Sequence, residues 1–471
     1  MSMIDEALGS AAAPGSRLAL LTDLYELTMA ASYLAEGMAA LATFSLFFRR
    51  LPPNRSYLVA AGLWDVLDYL ESLRFSEGDI EYLRSTRLFA DSFLEYLAGL
   101  RFRGEVWAMP EGTLFFPNEP VLEVTAPIVE AQLVETYVLN QIHFQAMVAA
   151  KASRCIWAAR GKPVVDFSLR RTYGAEAGVK VARVSYLAGL QSTSNVLAGK
   201  LYGIPIVGTM AHSYVEAFSH EIDSFRAYAR SYPGNTVLLI DTYDTLAGAR
   251  KAAVVAHEME QGGHRLRGVR LDSGDAMTLS QQVRAILDAK GLDYVKILAS
   301  GGWDEYSIDQ AERQGAPIDI YAVGTKLGVS SDAPYSDMAY KLVAYAGRPA
   351  AKLSPGKATL PAAKQVYRRT GADGRLAGDT LALREEALPG QARPLLERVM
   401  EKGRICASRP TLQQSRERLR AELDALGESH KRLQNAEVYP VELSPGLRAL
   451  GQQVADQLQA EEVTGRGVTG G

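Results

Sequence analysis

Val269-Arg-Leu-Asp-Ser-Gly-Asp275 and Val295-Lys-Ile-Leu-Ala-Ser-Gly-Gly302 flank a stretch, Ser280 to Lys290, that is long enough for a helix. Each is a short apolar run that ends abruptly in small and polar residues. The same grammar occupies residues 151–345, where the further runs are Val164-Val-Asp-Phe167, Ile206-Val207, Thr236-Val-Leu-Leu-Ile240 and Ile318-Asp-Ile-Tyr-Ala-Val323. Helix-length segments such as Thr245 to Gln261 separate most of them. Strands alternating with helices give parallel pairing through crossovers. Runs that are apolar on both faces belong in a buried sheet or barrel.

Residues capable of chemistry gather at the ends of these runs. Ser168 and Arg170, then Gly208, Thr209 and His212, then Asp241, Asp272, Ser300-Gly-Gly302 and Gly324-Thr325 stand at successive strand ends. Parallel α/β folds place their sites at the carboxyl ends of strands, so six ends converging on one face argue for a barrel. A doubly wound dinucleotide fold is the weaker choice, because no G-x-G-x-x-G opens the first helix.

On either side the pattern changes. Residues 1–150 begin with a Gly/Ala/Ser/Pro-rich lead of about 16 residues. A helical spacing runs from Leu18 to Leu34, then come a strand at Phe44–Phe48, helices such as Leu63–Leu73, and Pro-punctuated alternation over 104–124 that predicts short antiparallel strands: an α+β lobe. Residues 346–471 read as a basic, strand-poor region with amphipathic helices marked by Leu412, Leu419, Leu423 and Leu426 and by Leu447, Leu450, Val454 and Leu458, packing on the N-terminal lobe. Gly467 to Gly471 is expected to be disordered.

Composition excludes several classes. With 51 basic against 54 acidic residues, a net charge of −3 excludes a protein whose main affinity comes from a polybasic surface on nucleic acid or anionic lipid, while leaving room for local basic sites. Two cysteines, Cys155 and Cys406, suffice for neither a disulfide framework nor a thiolate zinc site, which points to the cytoplasm. The acidic start is unlike a signal peptide, and no apolar run approaches the roughly 20 residues of a membrane span.

Individual motifs carry two readings each. Asp272-Ser-Gly-Asp275 suits sugar hydroxyls or hydrated magnesium, but equally a turn with a helix cap. Ser300-Gly301-Gly302 and Gly324-Thr325 each suit ordinary turn chemistry after a strand, but as a pair on successive strands they suit a phosphate cradled by backbone amides, as the last loops of parallel barrels often do. Arg170 and Arg171 suit bidentate recognition of an anion, or structural pairing with Asp166 or Glu176. His212 comes just after a strand end among small residues that leave its ring accessible; a structural histidine is the alternative, and its spacing to His220 does not suit zinc.

Taken in order, Leu21-Thr-Asp-Leu-Tyr-Glu-Leu-Thr28, Ser192-Thr-Ser-Asn-Val-Leu-Ala-Gly-Lys200, Gly208-Thr-Met-Ala-His-Ser213, Val269–Asp275, Ser300–Gly302 and Val323-Gly-Thr325 resemble nicotinate phosphoribosyltransferase over about residues 18–345. The resemblance implies an irregular parallel α/β barrel of the type II phosphoribosyltransferase kind with an N-terminal α+β lobe, usually a homodimer. It implies transfer of phosphoribose from 5-phosphoribosyl 1-diphosphate to nicotinate, with ATP as co-substrate and magnesium as cofactor. Carried over, His212 matches the histidine that is transiently phosphorylated, and Tyr25, Thr209 and Arg270 match nicotinate-binding positions. Arg170 matches a residue that holds the anionic substrates. The loops Ser300-Gly301-Gly302 and Gly324-Thr325 match the 5-phosphate cradle, Asp272 a ribose-hydroxyl ligand, and Asp275 an aid to magnesium. The related nicotinamide enzyme has an aspartate where this chain has Ser194; an acid there would repel the nicotinate carboxylate. Some relatives carry a cysteine-rich metal module, which Cys406 alone cannot build. Nicotinamide transfer, a magnesium-dependent barrel lyase and a non-catalytic phosphoribosyl-binding regulator are the competing expectations.

Overall fold

Five strands of one sheet run parallel in the order β1-β5-β4-β3-β2, where β1 is Val164–Asp166, β2 Val237–Leu239, β3 Gly268–Leu271, β4 Lys296–Ala299 and β5 Ile320–Val323. They belong to a computed structural model that describes residues 17–354, 356–388, 390 and 392–463. The N-terminal lead, Pro355 and the closing Gly467–Gly471 stretch lie outside the described residues. The chain divides into two compact units, one of residues up to Met147 together with those from Tyr335 onward, the other Val148–Pro334.

In the second unit the sheet continues beyond β1 through single parallel bridges, Asp166 to Thr193 and Thr193 to Ile206. The expected strand at Ile206-Val207 is thus one bridge, and Thr193 adds a position that apolar patterning did not reveal. Such bridges make the barrel irregular. Helices α1 (Ala175–Leu187), α2 (Thr245–Gln261), α3 (Ala276–Asp288) and α4 (Glu305–Arg313) supply crossovers. Each of the last three starts on an aspartate cap just past a strand end: Asp244 accepts from the Ala247 amide, Asp275 from Met277 and Asp304 from Ser307. An aspartate there satisfies the first-turn N–H groups that have no helical partner. Between strands and helices sits a core of Phe225, Leu238, Ala252, Ala256, Val269, Val283 and Ile297, all fully buried or nearly so. The small alanines of α2 let it pack closely.

The first unit is α+β. A seven-stranded antiparallel sheet places Leu41–Phe48 between Leu122–Pro127 and Met338–Tyr345. The strand Met338–Tyr345, grouped with the barrel by the sequence reading, therefore belongs here. The expectation of a strand-poor region after residue 345 is overturned: Lys364–Thr370, Leu376–Leu383, Ala392–Pro394 and Val441–Leu443 form a second sheet, and Glu397–Glu401 and Arg404–Ile405 extend the first. The reason is that inward positions carry charge. Buried Lys364 lies 3.3 Å from Glu123, and buried Arg368 donates to Asp379 at 2.5 Å and to Glu422. Paired buried charges replace the apolar alternation by which strands are recognised. The two amphipathic helices appear at Leu412–Ala425 and Pro445–Leu458. No described helix is long and apolar enough to cross a membrane.

Candidate active site

Because the strands are parallel, their carboxyl ends share one edge of the second unit, and two adjoining cavities open there. The larger, about 370 Å³, is lined by Ser194, the Gly208–His212 segment and Leu239; the smaller, about 240 Å³, by Arg171, Ser300-Gly-Gly302 and Gly324-Thr325. Phe167, Arg170, Arg270 and Asp272 line both, forming the wall they share.

Arg270, on β3, organises that wall. Its Nε donates to Ser300 Oγ at 2.8 Å, Nη1 to Thr209 Oγ1 at 3.0 Å and to the Met210 carbonyl at 3.1 Å, and Nη2 to Asp272 Oδ1 at 2.7 Å. The guanidinium also lies 5.4 Å from the Phe167 ring centroid. A guanidinium has five N–H groups, so one on Nη2 is left for an incoming acceptor. Burial would raise the Asp272 carboxyl, but the Ser300 hydroxyl and the Arg270 charge outweigh it and hold the group below the usual carboxylate range.

His212 opens a short helix, His212–Glu216. Its Nε2 lies 3.5 Å from Asp272 Oδ2 and its Nδ1 3.1 Å from Thr242 Oγ1. Asp241 Oδ2 accepts from the Asp272 amide at 2.9 Å and the Ser273 hydroxyl at 2.6 Å, while its buried Oδ1 has no hydrogen-bond partner among the described residues. The glycine loops are fixed by close approach. Gly301 has φ of +90°, and a Cβ there would stand 2.0 Å from the Asp272 carbonyl oxygen; at Gly324 it would stand 3.2 Å from that of Phe167. Arg170 and Arg171 form a 3-10 turn with Leu169 and have no ion-pair partner among the described residues. The two carboxylates nearest them in sequence are engaged elsewhere: Asp166 accepts from the Ser168 amide and Thr193 hydroxyl, Glu176 from Lys180.

This arrangement has known counterparts. Profiles of the nicotinate phosphoribosyltransferase N-terminal domain, family and C-terminal domain match residues 20–143, 163–308 and 388–451. The chain is 53% identical over 430 residues to nicotinate phosphoribosyltransferase pncB2 of Mycobacterium tuberculosis, covering 90% of this chain and 91% of that one. The chain belongs to the nicotinate phosphoribosyltransferase family. It is also 39% identical over 459 residues to the Bacillus subtilis nicotinate phosphoribosyltransferase, with 91% and 93% coverage. The crystal structure of human nicotinic acid phosphoribosyltransferase superimposes with a TM-score of 0.83 at 31% identity, covering 92% of this chain and 99% of that one. The barrel is accordingly of the type II phosphoribosyltransferase kind.

Of the residues that carried the family resemblance, His212, Arg170, Thr209, Arg270, Asp272, Ser300, Gly301, Gly302, Gly324 and Thr325 line the paired cavities. Tyr25 belongs to the first unit, on the helix Leu24–Ala35, 45% exposed. Burial and the Glu135, Glu26 and Asp23 carboxylates push its phenol above the ordinary value. Asp275 lines neither cavity: its carboxylate takes the Met277 amide at 3.2 Å and the Thr278 hydroxyl at 2.5 Å, which is the helix-cap alternative. Among the described residues no three His, Cys, Asp or Glu side chains are grouped to hold a metal. Thr242 and the positioning role of Asp241 were not singled out from sequence, although Asp241 comes directly after a strand end; Phe167 read only as the last residue of its run.

Proposed function

We propose that the chain joins nicotinate to 5-phosphoribosyl 1-diphosphate, giving nicotinate mononucleotide and diphosphate on the salvage route to NAD, with ATP hydrolysis coupled through phosphorylation of His212. The observation that carries this reading is the pair of adjoining cavities. One is lined by the family's histidine motif and the other by two glycine loops, with Arg170, Arg270 and Asp272 common to both.

The smaller cavity suits a phosphate, since glycine backbone amides and the free guanidinium groups of Arg170 and Arg171 are donors that need no reorganisation. Asp272 suits a ribose hydroxyl. Among the described residues the larger cavity is lined by one carboxylate, Asp272, already paired with Arg270. An anionic ring such as nicotinate is therefore tolerated, with the remaining Nη2 hydrogen of Arg270 and the Thr209 hydroxyl at hand. The pyridine nitrogen forms the new bond to C1 of the ribose as the C1–O bond to diphosphate breaks, the electron pair leaving with diphosphate. Positive charge grows on the sugar, so positioning and electrostatics supply the rate enhancement.

Magnesium typically keeps substrate phosphates and one or two carboxylates as ligands. Of the aspartates at this edge, Asp272 lines both cavities and is the carboxylate that would hold the ion, whereas Asp241 and Asp275 line neither and the Asp275 oxygens are taken by the α3 cap. Bound with the diphosphate, the ion would neutralise the leaving group. We further propose a cytoplasmic homodimer, with Tyr25 as a nicotinate-binding residue.

The test supplies nicotinate, nicotinamide or quinolinate with 5-phosphoribosyl 1-diphosphate and magnesium, with and without ATP, and measures mononucleotide and diphosphate. Nicotinate should be preferred and ATP should stimulate. His212→Ala should abolish the phosphohistidine and the stimulation while slow transfer persists. Preference for nicotinamide, or unchanged ATP coupling in the variant, overturns the corresponding part.

A further inference from the structure

The two glycine loops are joined by a pair of side chains that line neither cavity. Asp304, two residues after Gly302, uses Oδ1 to cap α4 by accepting the Ser307 amide at 2.9 Å; its Oδ2 accepts from Lys326 Nζ at 2.8 Å. Lys326 is the residue next to Thr325 of the second loop. One carboxylate thus anchors the first loop to its helix and ties it to the second. Behind them, Lys151, wholly buried, meets both Glu305, next to Asp304, and Asp332, beyond the second loop, at 2.7 Å for the latter. Trp303 steadies the first loop from within, donating to the Ser300 carbonyl at 3.2 Å and packing edge-on to Tyr321.

The two cross-links differ in kind. Lys151 is a buried ion pair whose loss leaves uncompensated charge and destabilises the fold. Lys326 is 42% exposed, so its pair with Asp304 adds little to global stability. Its physical effect is local: it fixes the separation of two sets of backbone amides that must close on one small anion. Burial would raise the Asp304 carboxyl, but Lys326 and the Ser307 bonds hold it below its ordinary value, so the strap is charged at neutral pH.

We infer that Lys326 is a positioning residue, which with Asp304 straps the two glycine loops at the spacing a single phosphate spans and so sets affinity for the phosphoribosyl substrate without touching it. The inference rests on the proposed phosphoribosyl transfer. The experiment measures steady-state kinetics and, by calorimetry, binding of 5-phosphoribosyl 1-diphosphate with magnesium to the full-length protein. Lys326→Met should raise KM and the dissociation constant for that substrate about tenfold, as expected for slight misplacement of preorganised donors. Changes in kcat, nicotinate KM and Tm should be small, and Lys326→Arg should restore affinity. Asp304→Asn retains a helix cap but not the charge, so it should match Lys326→Met, and the double variant should be no worse than either. If Lys326 instead contacted phosphate directly, Asp304→Asn would leave affinity unchanged or improve it, and the inference fails. It fails equally if all variants bind as the parent does. A parent protein that neither binds nor consumes the substrate would refute the proposed transfer itself.

Discussion

Replacing Arg270 by lysine keeps the charge and removes the fork. In the native site four N–H groups of this nearly buried side chain, 8% exposed, reach Ser300, Thr209, the Met210 carbonyl and Asp272. A lysine offers three donors from one nitrogen and cannot serve acceptors spread over three segments. If it keeps Asp272 and one neighbour, two charge-assisted bonds are lost, at about 1.5 kcal/mol or more each, or about 3 kcal/mol together. Part of that falls on folding and part on catalysis, because the segment bearing His212 and the first glycine loop both lose their tie to β3. Expressed wholly in the transition state, about 3 kcal/mol is a loss of about 100-fold in kcat/KM. The check is kcat/KM for nicotinate and for 5-phosphoribosyl 1-diphosphate well below the melting transition, with Tm recorded by calorimetry. Arg270→Lys that keeps more than about a third of kcat/KM with Tm unchanged would refute the argument, since such a loss is under about 1 kcal/mol.

Three other outcomes are expected. Gly301→Ala forces a Cβ to within 2.0 Å of the Asp272 carbonyl at a φ of +90°, so Asp272 must shift and kcat/KM should fall about 100-fold; crystallography of the variant would show the displaced loop. Ser194→Asp sets a carboxylate in the larger cavity; at about 6 Å and an effective dielectric of about 20 the repulsion is about 3 kcal/mol, which should lower the nicotinate-to-nicotinamide ratio of kcat/KM about 100-fold. Glu26 is fully buried and, mainly by that burial, its carboxyl is pushed up from 4.5 to about 7. A carboxyl raised on folding stabilises while protonated, so its contribution, at most about 3 kcal/mol, is present below pH 4.5 and lost as pH rises towards 7. Denaturant titrations across that range should show a slope in the parent that Glu26→Gln flattens; equal slopes would exclude it.

Much of the site was legible because strand ends write chemistry into adjacent residues. The order of apolar run, then Gly, Asp, Ser or Arg, is a local pattern, and parallel pairing brings every such end to one edge. What stayed illegible depended on partners far apart in sequence. Asp272-Ser-Gly-Asp275 allowed both carboxylates a ligand role; only the fold shows Asp272 held by Arg270 and Ser300 while Asp275 is engaged by the start of α3. Thr242 had no signal until it stood beside His212. The strands after residue 345 were hidden because Lys364 and Arg368 point charge inward, which patterning reads as surface.

The sequence by itself determined the parallel α/β core, the polar strand ends and the near-neutral balance of charge. Those arise from periodicity and composition, which act over neighbouring residues. The tertiary structure alone decided which donors remain free for a ligand: most of Arg270 is engaged within the protein, whereas Arg170 and Arg171 have no ion-pair partner among the described residues. A hydrogen bond is satisfied by whatever atom lies at the right distance and angle, and that geometry exists only once the chain has folded.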